Sequence, residues 1–170
     1  MITILTATYN SAKTLRACLD SLLAQSYKNW ECILCDGCST DDTIKIAEEY
    51  EALDSRISHH VKKDYGIYEA LNNGIHYAKG DWIFVLGSDD KIHPNAFTDL
   101  LAEDNGQYDA MYGNIIVDYV NGTQREIKPK KLSMVRYYMP ISHQGVIFKA
   151  SIVRKLGGFD LRYKVKGDFN

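Results

Sequence analysis

The strongest constraint on the fold is an alternation of short, mostly apolar runs with segments whose apolar residues recur at helical spacing. The runs cover residues 2–7, 30–35 and 82–86, and a further apolar segment covers residues 57–61. The segments between them predict amphipathic helices. A β-α-β alternation of this kind predicts an α/β fold with a mostly parallel central sheet and helices on both faces. Ligands of such a sheet bind beyond the carboxyl ends of its strands.

Local signals predict where the helices begin. Ser11 is expected to cap the first helix, and Thr40 or Asp41 the second. Residues 66–78 are predicted to form a third helix that presents Ile67 to the core.

The pattern becomes antiparallel after residue 110. Residues 111–120 and 124–128 flank an Asn-Gly pair, which is typical of hairpin turns, and residues 146–149 form a further strand. A parallel, nucleotide-type half is thus followed by a mixed half that would build the second wall of a cleft.

Composition narrows the class of protein. The 170 residues contain no repeat or linker, so we expect a single domain over residues 1–170. A formal net charge of -2 provides no field that would gather nucleic acid. No apolar run approaches the roughly 20 residues that cross a bilayer, and the N-terminus lacks a basic leader. We expect a cytoplasmic protein, and peripheral attachment to the inner face of a membrane stays open.

Three of the four cysteines, Cys32, Cys35 and Cys38, have the spacing of metal ligands. Cys32 and Cys35 lie an odd number of positions apart in a predicted strand, so their side chains should point to opposite faces of the sheet. We therefore expect free thiols of a reducing compartment, packed as small apolar residues, and no bound zinc or iron–sulfur cluster.

Two adjacent carboxylates, Asp89 and Asp90, come with Ser88 directly after the apolar run at residues 82–86. Their mutual repulsion is offset best by a cation. Oxygen ligands suit Mg²⁺ or Mn²⁺, which usually keep waters and share one or two carboxylates with substrate phosphates. A helix cap beside a solvated acid is the competing interpretation.

Further polar groups follow the other predicted strands. Asp36 stands too early to cap the next helix, and its carboxylate could accept a hydrogen bond from N3–H of uracil or thymine. Asp64 precedes a helix whose N-terminus would favour phosphate, although it could be only a cap. His143 could be a core hydrogen-bonding residue, and Asp168, after a glycine, could be a turn residue or a catalytic base.

Five motifs occur in order along the chain: Thr6-Ala7-Thr8-Tyr9-Asn10, Asp36-Gly37-Cys38-Ser39-Thr40-Asp41, Asp64-Tyr65-Gly66-Ile67-Tyr68, Gly87-Ser88-Asp89-Asp90 and Gly157-Gly158-Phe159-Asp160. This order resembles family 2 glycosyltransferases with the GT-A fold, of the type that makes bacterial cell-surface polysaccharides. The resemblance covers essentially the whole chain.

The resemblance implies an inverting, Mn²⁺- or Mg²⁺-dependent transfer of a sugar from a nucleoside diphosphate-sugar, UDP-sugars first, to a hydroxyl of a glycan or lipid-linked acceptor. By the same resemblance Asp90 would ligate the metal, Asp168 would be the catalytic base, and His143 would contact phosphate or acceptor. The residues that would bind the nucleotide are Thr8, Tyr9, Asn10, Asp36, Asp64, Gly66 and Asp89.

Two departures from the family pattern matter. Ser88 replaces the first acid of the D-x-D motif, a variation that the family often shows. Relatives also continue beyond Asp168, so we expect a fragment in which residues 1–110 bind nucleotide and residues 111–170 begin the acceptor half. The basic stretch at residues 128–131 is either solvated surface or a contact for diphosphate or lipid phosphate.

Three other functions compete with a glycosyltransferase. A dinucleotide-dependent oxidoreductase is disfavoured because no G-x-G-x-x-G follows the first strand. A metal-dependent nucleotidyltransferase and a catalytically inactive nucleotide-sugar binding module stay open.

Overall fold

The computed structural model describes residues 1–130 and 141–162 of the chain. Their strands and helices in chain order are β1 (Ile2–Thr8), α1 (Leu15–Leu23), β2 (Trp30–Asp36), α2 (Thr43–Leu53), β3 (Ile57–Val61), α3 (Ile67–Ile75), β4 (Trp82–Val85), α4 (Ala96–Ala102), β5 (Ala110–Tyr112), β6 (Ile115–Asp118), β7 (Gln124–Ile127), β8 (Val146–Lys149) and α5 (Ala150–Lys155).

Six of the strands form one sheet in the order β3-β2-β1-β4-β8-β5. The first four are parallel to one another, and β8 lies antiparallel between β4 and β5. The predicted mostly parallel α/β sheet is therefore confirmed. The insertion of β8 also places its N-terminal end beside the carboxyl end of β4, because antiparallel neighbours run in opposite directions.

Different helices cover the two faces of the sheet. One apolar cluster joins the sheet to α1, α2 and α4, and a second joins it to α3 and α5. Cys32 belongs to the first cluster and Cys35 to the second, which confirms the predicted opposite orientation of the two side chains. Burial of successive residues of β2 on both faces explains why this strand is mostly apolar.

Helix α1 does not begin as predicted. It starts at Leu15, no side chain caps it, and the backbone N–H groups of Thr14 and Leu15 donate to the carbonyl oxygen of Ser11. The prediction that Ser11 is a side-chain cap is therefore wrong, because its hydroxyl lies 2.9 Å from the hydroxyl of Ser88 instead.

The starts of α2 and α3 also differ from the prediction. The residue before α2 is Asp42, which makes no capping side-chain bond, whereas Asp41 accepts from the Thr43 backbone N–H from outside the helix. Helix α3 starts only at Ile67, which is 50% exposed because the buried stripe of this helix begins one turn later, at Ala70.

The segment at residues 111–120 was predicted to be one arm of a hairpin, but it is divided between two sheets. Residues Ala110–Tyr112 pair with β8 in the main sheet, and Met111 is buried there. Residues Ile115–Asp118 pair with β7 in a separate two-stranded hairpin. Long-range pairing with β8 overrides the local hairpin signal at this point.

Within residues 1–130 and 141–162, no helix is long and apolar enough to cross a membrane.

Candidate active site

The carboxyl ends of β1, β2 and β4 lie side by side at one edge of the sheet. Thr8 at the end of β1 is paired with Asp36 at the end of β2, and Leu86, just after β4, donates its backbone N–H to Leu5. The loops that follow these strands carry most of the polar residues singled out in the sequence. The topology therefore brings the loops after β1, β2 and β4 to a common site.

Asp36 is only 2% exposed, and three donors satisfy its carboxylate. Oδ2 accepts from the hydroxyls of Thr8 at 2.8 Å and Ser39 at 2.6 Å, and Oδ1 accepts from the Ser39 backbone N–H at 2.7 Å. A carboxylate offers about four lone-pair sites, so these three donors leave about one site on Oδ1. Asp36 thus fixes the loop after β2.

The loop after β1 is bonded to the loop after β2 along its length. Oδ1 of Asn10 accepts from the backbone N–H of Thr40 at 2.9 Å, and the Asn10 backbone N–H donates to the Ser39 hydroxyl at 2.9 Å. Asn10 has φ 52°, a left-handed conformation that Asn tolerates better than most residues. Tyr9, between Thr8 and Asn10, is 66% exposed, so its ring faces solvent beside this rigid double loop.

A second carboxylate, Asp64, reaches the same edge of the sheet from the segment before α3. Its Oδ1 accepts from the Gly66 backbone N–H at 3.0 Å, and a Cβ on Gly37 would lie only 2.9 Å from its Oδ2. Burial raises the pKa of the Cys35 thiol to about 12, and the charge of Asp64 adds to that effect. Asp64 therefore contacts the loop after β2, as the sequence prediction of a shared pocket requires.

The two carboxylates after β4 face the same glycine. A Cβ on Gly87 would lie 2.7 Å from Oδ2 of Asp90 and 3.0 Å from Oδ1 of Asp89. Burial raises the pKa of Asp90, the neighbouring charge of Asp89 raises it further, and His143 acts in the opposite direction. Ionised Asp90 is thus held in an environment that disfavours its charge, which a bound cation would relieve.

His143 approaches Asp90 because of the position of β8. A single 3₁₀ turn, His143–Gly145, precedes β8 and lies beyond the carboxyl end of β4. Because it lowers the pKa of Asp90, His143 lies within electrostatic reach of that carboxylate. The C-terminal half therefore contributes a side chain to the edge formed by the N-terminal half.

The donor set fits a divalent cation that takes few ligands from protein. The described residues contain no group of three His, Cys, Asp or Glu side chains that could enclose a metal ion. Asp90, with Asp89 beside it, offers the one or two carboxylates that Mg²⁺ or Mn²⁺ uses when phosphate oxygens and waters complete its coordination. The metal prediction therefore agrees with the chemistry of the donors.

Comparison with known proteins supplies the family. The model of glycosyl transferase family 2 matches residues 3–156. This chain belongs to that family. The PGL/p-HBAD biosynthesis glycosyltransferase of Mycobacterium tuberculosis is 32% identical over 174 residues, which cover 100% of this chain and 67% of the relative.

Two solved family-like structures establish the GT-A type of fold. S. aureus TarS superposes with a TM-score of 0.73 at 22% identity, covering 99% of this chain and 52% of TarS. The mannosyltransferase PcManGT from Pyrobaculum calidifontis, in complex with GDP-Man and Mn²⁺, gives 0.72 at 19% identity, covering 94% and 47%. This chain spans about half the length of these structures.

Two predicted features lie wholly or partly outside the residues that the structure describes. Asp168, and Lys131 at the end of the basic stretch, lie outside residues 1–130 and 141–162.

Sequence reasoning missed the hydrogen bond between Ser11 and Ser88, which joins the loop after β1 to the loop after β4 that carries the two carboxylates. The only available signal was a serine in each loop, and Ser11 had a simpler explanation as a helix cap.

Proposed function

We propose that the chain forms the donor-binding part of an inverting glycosyltransferase that uses a nucleoside diphosphate-sugar, preferably a UDP-sugar. The sugar would pass to a hydroxyl of a glycan or lipid-linked acceptor. One observation carries the proposal: two loops joined by hydrogen bonds converge with a carboxylate pair, exposed Asp89 and half-buried Asp90, at the carboxyl edge of a family 2 sheet. Structures of TarS with UDP and with UDP-GlcNAc support UDP as the nucleotide to test first.

Each part of the donor has a matching group. The exposed ring of Tyr9 would pack on the base, and the free acceptor position of Asp36 would receive its N3–H. Asp89 would approach the ribose. Asp90 would hold Mn²⁺ or Mg²⁺, which when bound neutralises charge on the diphosphate, and the imidazole of His143 would donate a hydrogen bond to a phosphate oxygen.

The reaction itself needs a base and an acceptor. Asp168 would take the proton of an acceptor hydroxyl as that oxygen forms a bond to the anomeric carbon. The bond from this carbon to the diphosphate breaks at the same time, and nucleoside diphosphate leaves with the electron pair. Attack from the face opposite the leaving group inverts the anomeric configuration.

A donor panel tests the function directly. UDP, GDP, CDP and their sugars are added with Mn²⁺ or with chelator, and the melting temperature is measured, because a ligand of the native state raises apparent stability. We expect shifts with a UDP-sugar and Mn²⁺, and release of UDP on incubation with acceptor. Release of pyrophosphate from a nucleoside triphosphate would instead identify a nucleotidyltransferase, and binding without consumption an inactive module.

Base selection by Asp36 provides a sharper prediction. UDP should bind more tightly than CDP, because cytosine lacks the N3–H and leaves a buried polar group unmatched, at about 1–3 kcal/mol. That difference corresponds to roughly 5- to 150-fold in the dissociation constant. Calorimetric titration of both nucleotides in Mn²⁺ measures it.

This experiment changes the nucleotide and keeps Asp36, because Asp36 also holds the loop after β2 in place. Asp36→Asn would also disrupt the bonds from Thr8 and Ser39 that shape the loop. Asp42→Asn removes an exposed acid at the far end of the same loop, directly before α2, and should leave the UDP preference unchanged. Equal affinities of the wild-type protein for CDP and UDP would disprove the assignment.

A further inference from the structure

The side-chain amide of Asn72 on α3 holds the chain at Phe159 by two hydrogen bonds. Oδ1 accepts from the Phe159 backbone N–H at 2.7 Å, and Nδ2 donates to the Phe159 carbonyl oxygen at 2.8 Å. The two residues are 87 positions apart in sequence. Both atoms of the amide thus bond to the backbone of one residue in the loop after α5.

Gly158 permits this close approach. A Cβ at this position would overlap Oδ1 of Asn72, and the φ of Gly158 is 84°, where residues with side chains are strained. The ring of Phe159 also stacks on Tyr68, one turn earlier on α3, at 5.7 Å between centroids. The loop after α5 is therefore fitted to α3 by backbone shape, amide bonds and ring packing.

Helix α3 connects this loop with the donor site. The segment directly before α3 carries Asp64, whose carboxylate contacts the loop after β2 at Gly37. Three residues after the end of α3, the Ala78 carbonyl oxygen accepts from the Arg154 guanidinium of α5 at 2.6 Å. Helix α3 and its flanking residues thus contact both the loop after β2 and the C-terminal part of the chain.

We infer that Asn72 is a positioning residue, which holds the loop after α5 against the helix that follows Asp64, and so at a fixed distance from the donor site. This inference rests on the proposed function, because it assigns the loop after α5 to the acceptor half of the chain. Asn72 touches neither substrate in this role. Its loss should therefore affect turnover and leave donor affinity intact.

The experiment compares two neighbouring asparagines in the full-length protein. Asn72→Ala should lower kcat roughly 10- to 100-fold, since small misplacements of reacting groups have effects of that size, while the dissociation constant for UDP with Mn²⁺ stays within about twofold. Asn73→Ala is the matched control: Asn73 accepts from exposed Lys62, and both quantities should stay within about twofold. Turnover is followed as UDP release from the UDP-sugar selected by the donor panel, with water as acceptor if no glycan acceptor is known.

Hydrogen exchange gives a readout that is independent of activity. The Phe159 amide should exchange faster in Asn72→Ala than in the wild type, because its acceptor is removed. Gly158→Ala provides a second variant that displaces the same loop without altering α3, and the same split between kcat and UDP affinity is expected.

The outcomes distinguish the inference from the proposed function. Faster exchange at Phe159 with unchanged kcat would overturn the positioning role, and so would a parallel loss of turnover and UDP affinity. If Asn72→Ala does not fold, Gly158→Ala decides between the same outcomes. A wild-type protein that binds no nucleotide and releases no UDP would contradict the proposed function instead.

Discussion

Replacing Asp90 by Asn is expected to abolish the Mn²⁺-dependent part of UDP binding. The carboxylate is half-buried, and its pKa is raised by burial and by Asp89, so it lies where an added positive charge is most favourable. A cation that bridges it to phosphate oxygens contributes several kcal/mol, which corresponds to at least roughly 100-fold in affinity. Titration of UDP in Mn²⁺ and in chelator measures this difference.

A charge-matched control separates ligation from general electrostatics. Asp99→Asn removes one negative charge from the exposed first turn of α4 and should leave the effect of Mn²⁺ unchanged. Asp89→Asn lowers the repulsion on Asp90 and should weaken UDP binding less than Asp90→Asn does. Equal UDP affinity of the wild-type protein in Mn²⁺ and in chelator would exclude the metal bridge, as would an Asp90→Asn protein that keeps the difference.

The parallel sheet could be predicted because its strands are buried on both faces. The mostly apolar strands Ile2–Thr8 and Trp30–Asp36 carry that burial in the sequence itself. Since parallel strands present their carboxyl ends at one edge, the order of elements predicted that the polar residues after β1 and β2 lie at the same edge, where Thr8 pairs with Asp36. The family resemblance then gave each loop an expected chemical role.

Other features could not be predicted because they depend on contacts between distant segments. Met111 joins the main sheet only because β8 inserts beside β4, and nothing local to residues 111–120 signals this. The hydroxyl of Ser11 bonds Ser88, 77 positions away, although Ser11 stands where a helix cap is expected. His143 comes within electrostatic reach of Asp90 by the same antiparallel insertion. These tertiary contacts override local propensity.

The residues predicted to bind the nucleotide differ in how they are placed. The side chains of Thr8 and Asn10 form hydrogen bonds with residues of the loop after β2, so they stabilise the shape of the pocket. Tyr9 is the exposed member of that run. Under the proposed function, binding energy would then not be consumed in ordering the two loops, which is how preorganisation increases affinity.

The largest effect on turnover is expected at Asp168, the proposed general base. A positioned base contributes roughly 10²- to 10⁴-fold, so Asp168→Asn in the full-length protein should lose about that much kcat while binding UDP and Mn²⁺ normally. The expectation comes from the place of Asp168 after Gly157-Gly158-Phe159-Asp160 and from the need for a carboxylate that the metal does not occupy.

Asp160→Asn is the informative comparison for this prediction, because Asp160 follows the same glycine pair but its carboxylate is already paired with Arg162 at 2.6 Å. Exposed pairs of this kind contribute little, so kcat should change far less in Asp160→Asn than in Asp168→Asn. Loss of UDP binding in Asp168→Asn would make this residue part of the donor or metal site. Near-normal turnover would rule out its role as base, and a product that keeps the anomeric configuration of the donor would rule out a single inverting displacement, since each displacement at that carbon reverses its configuration.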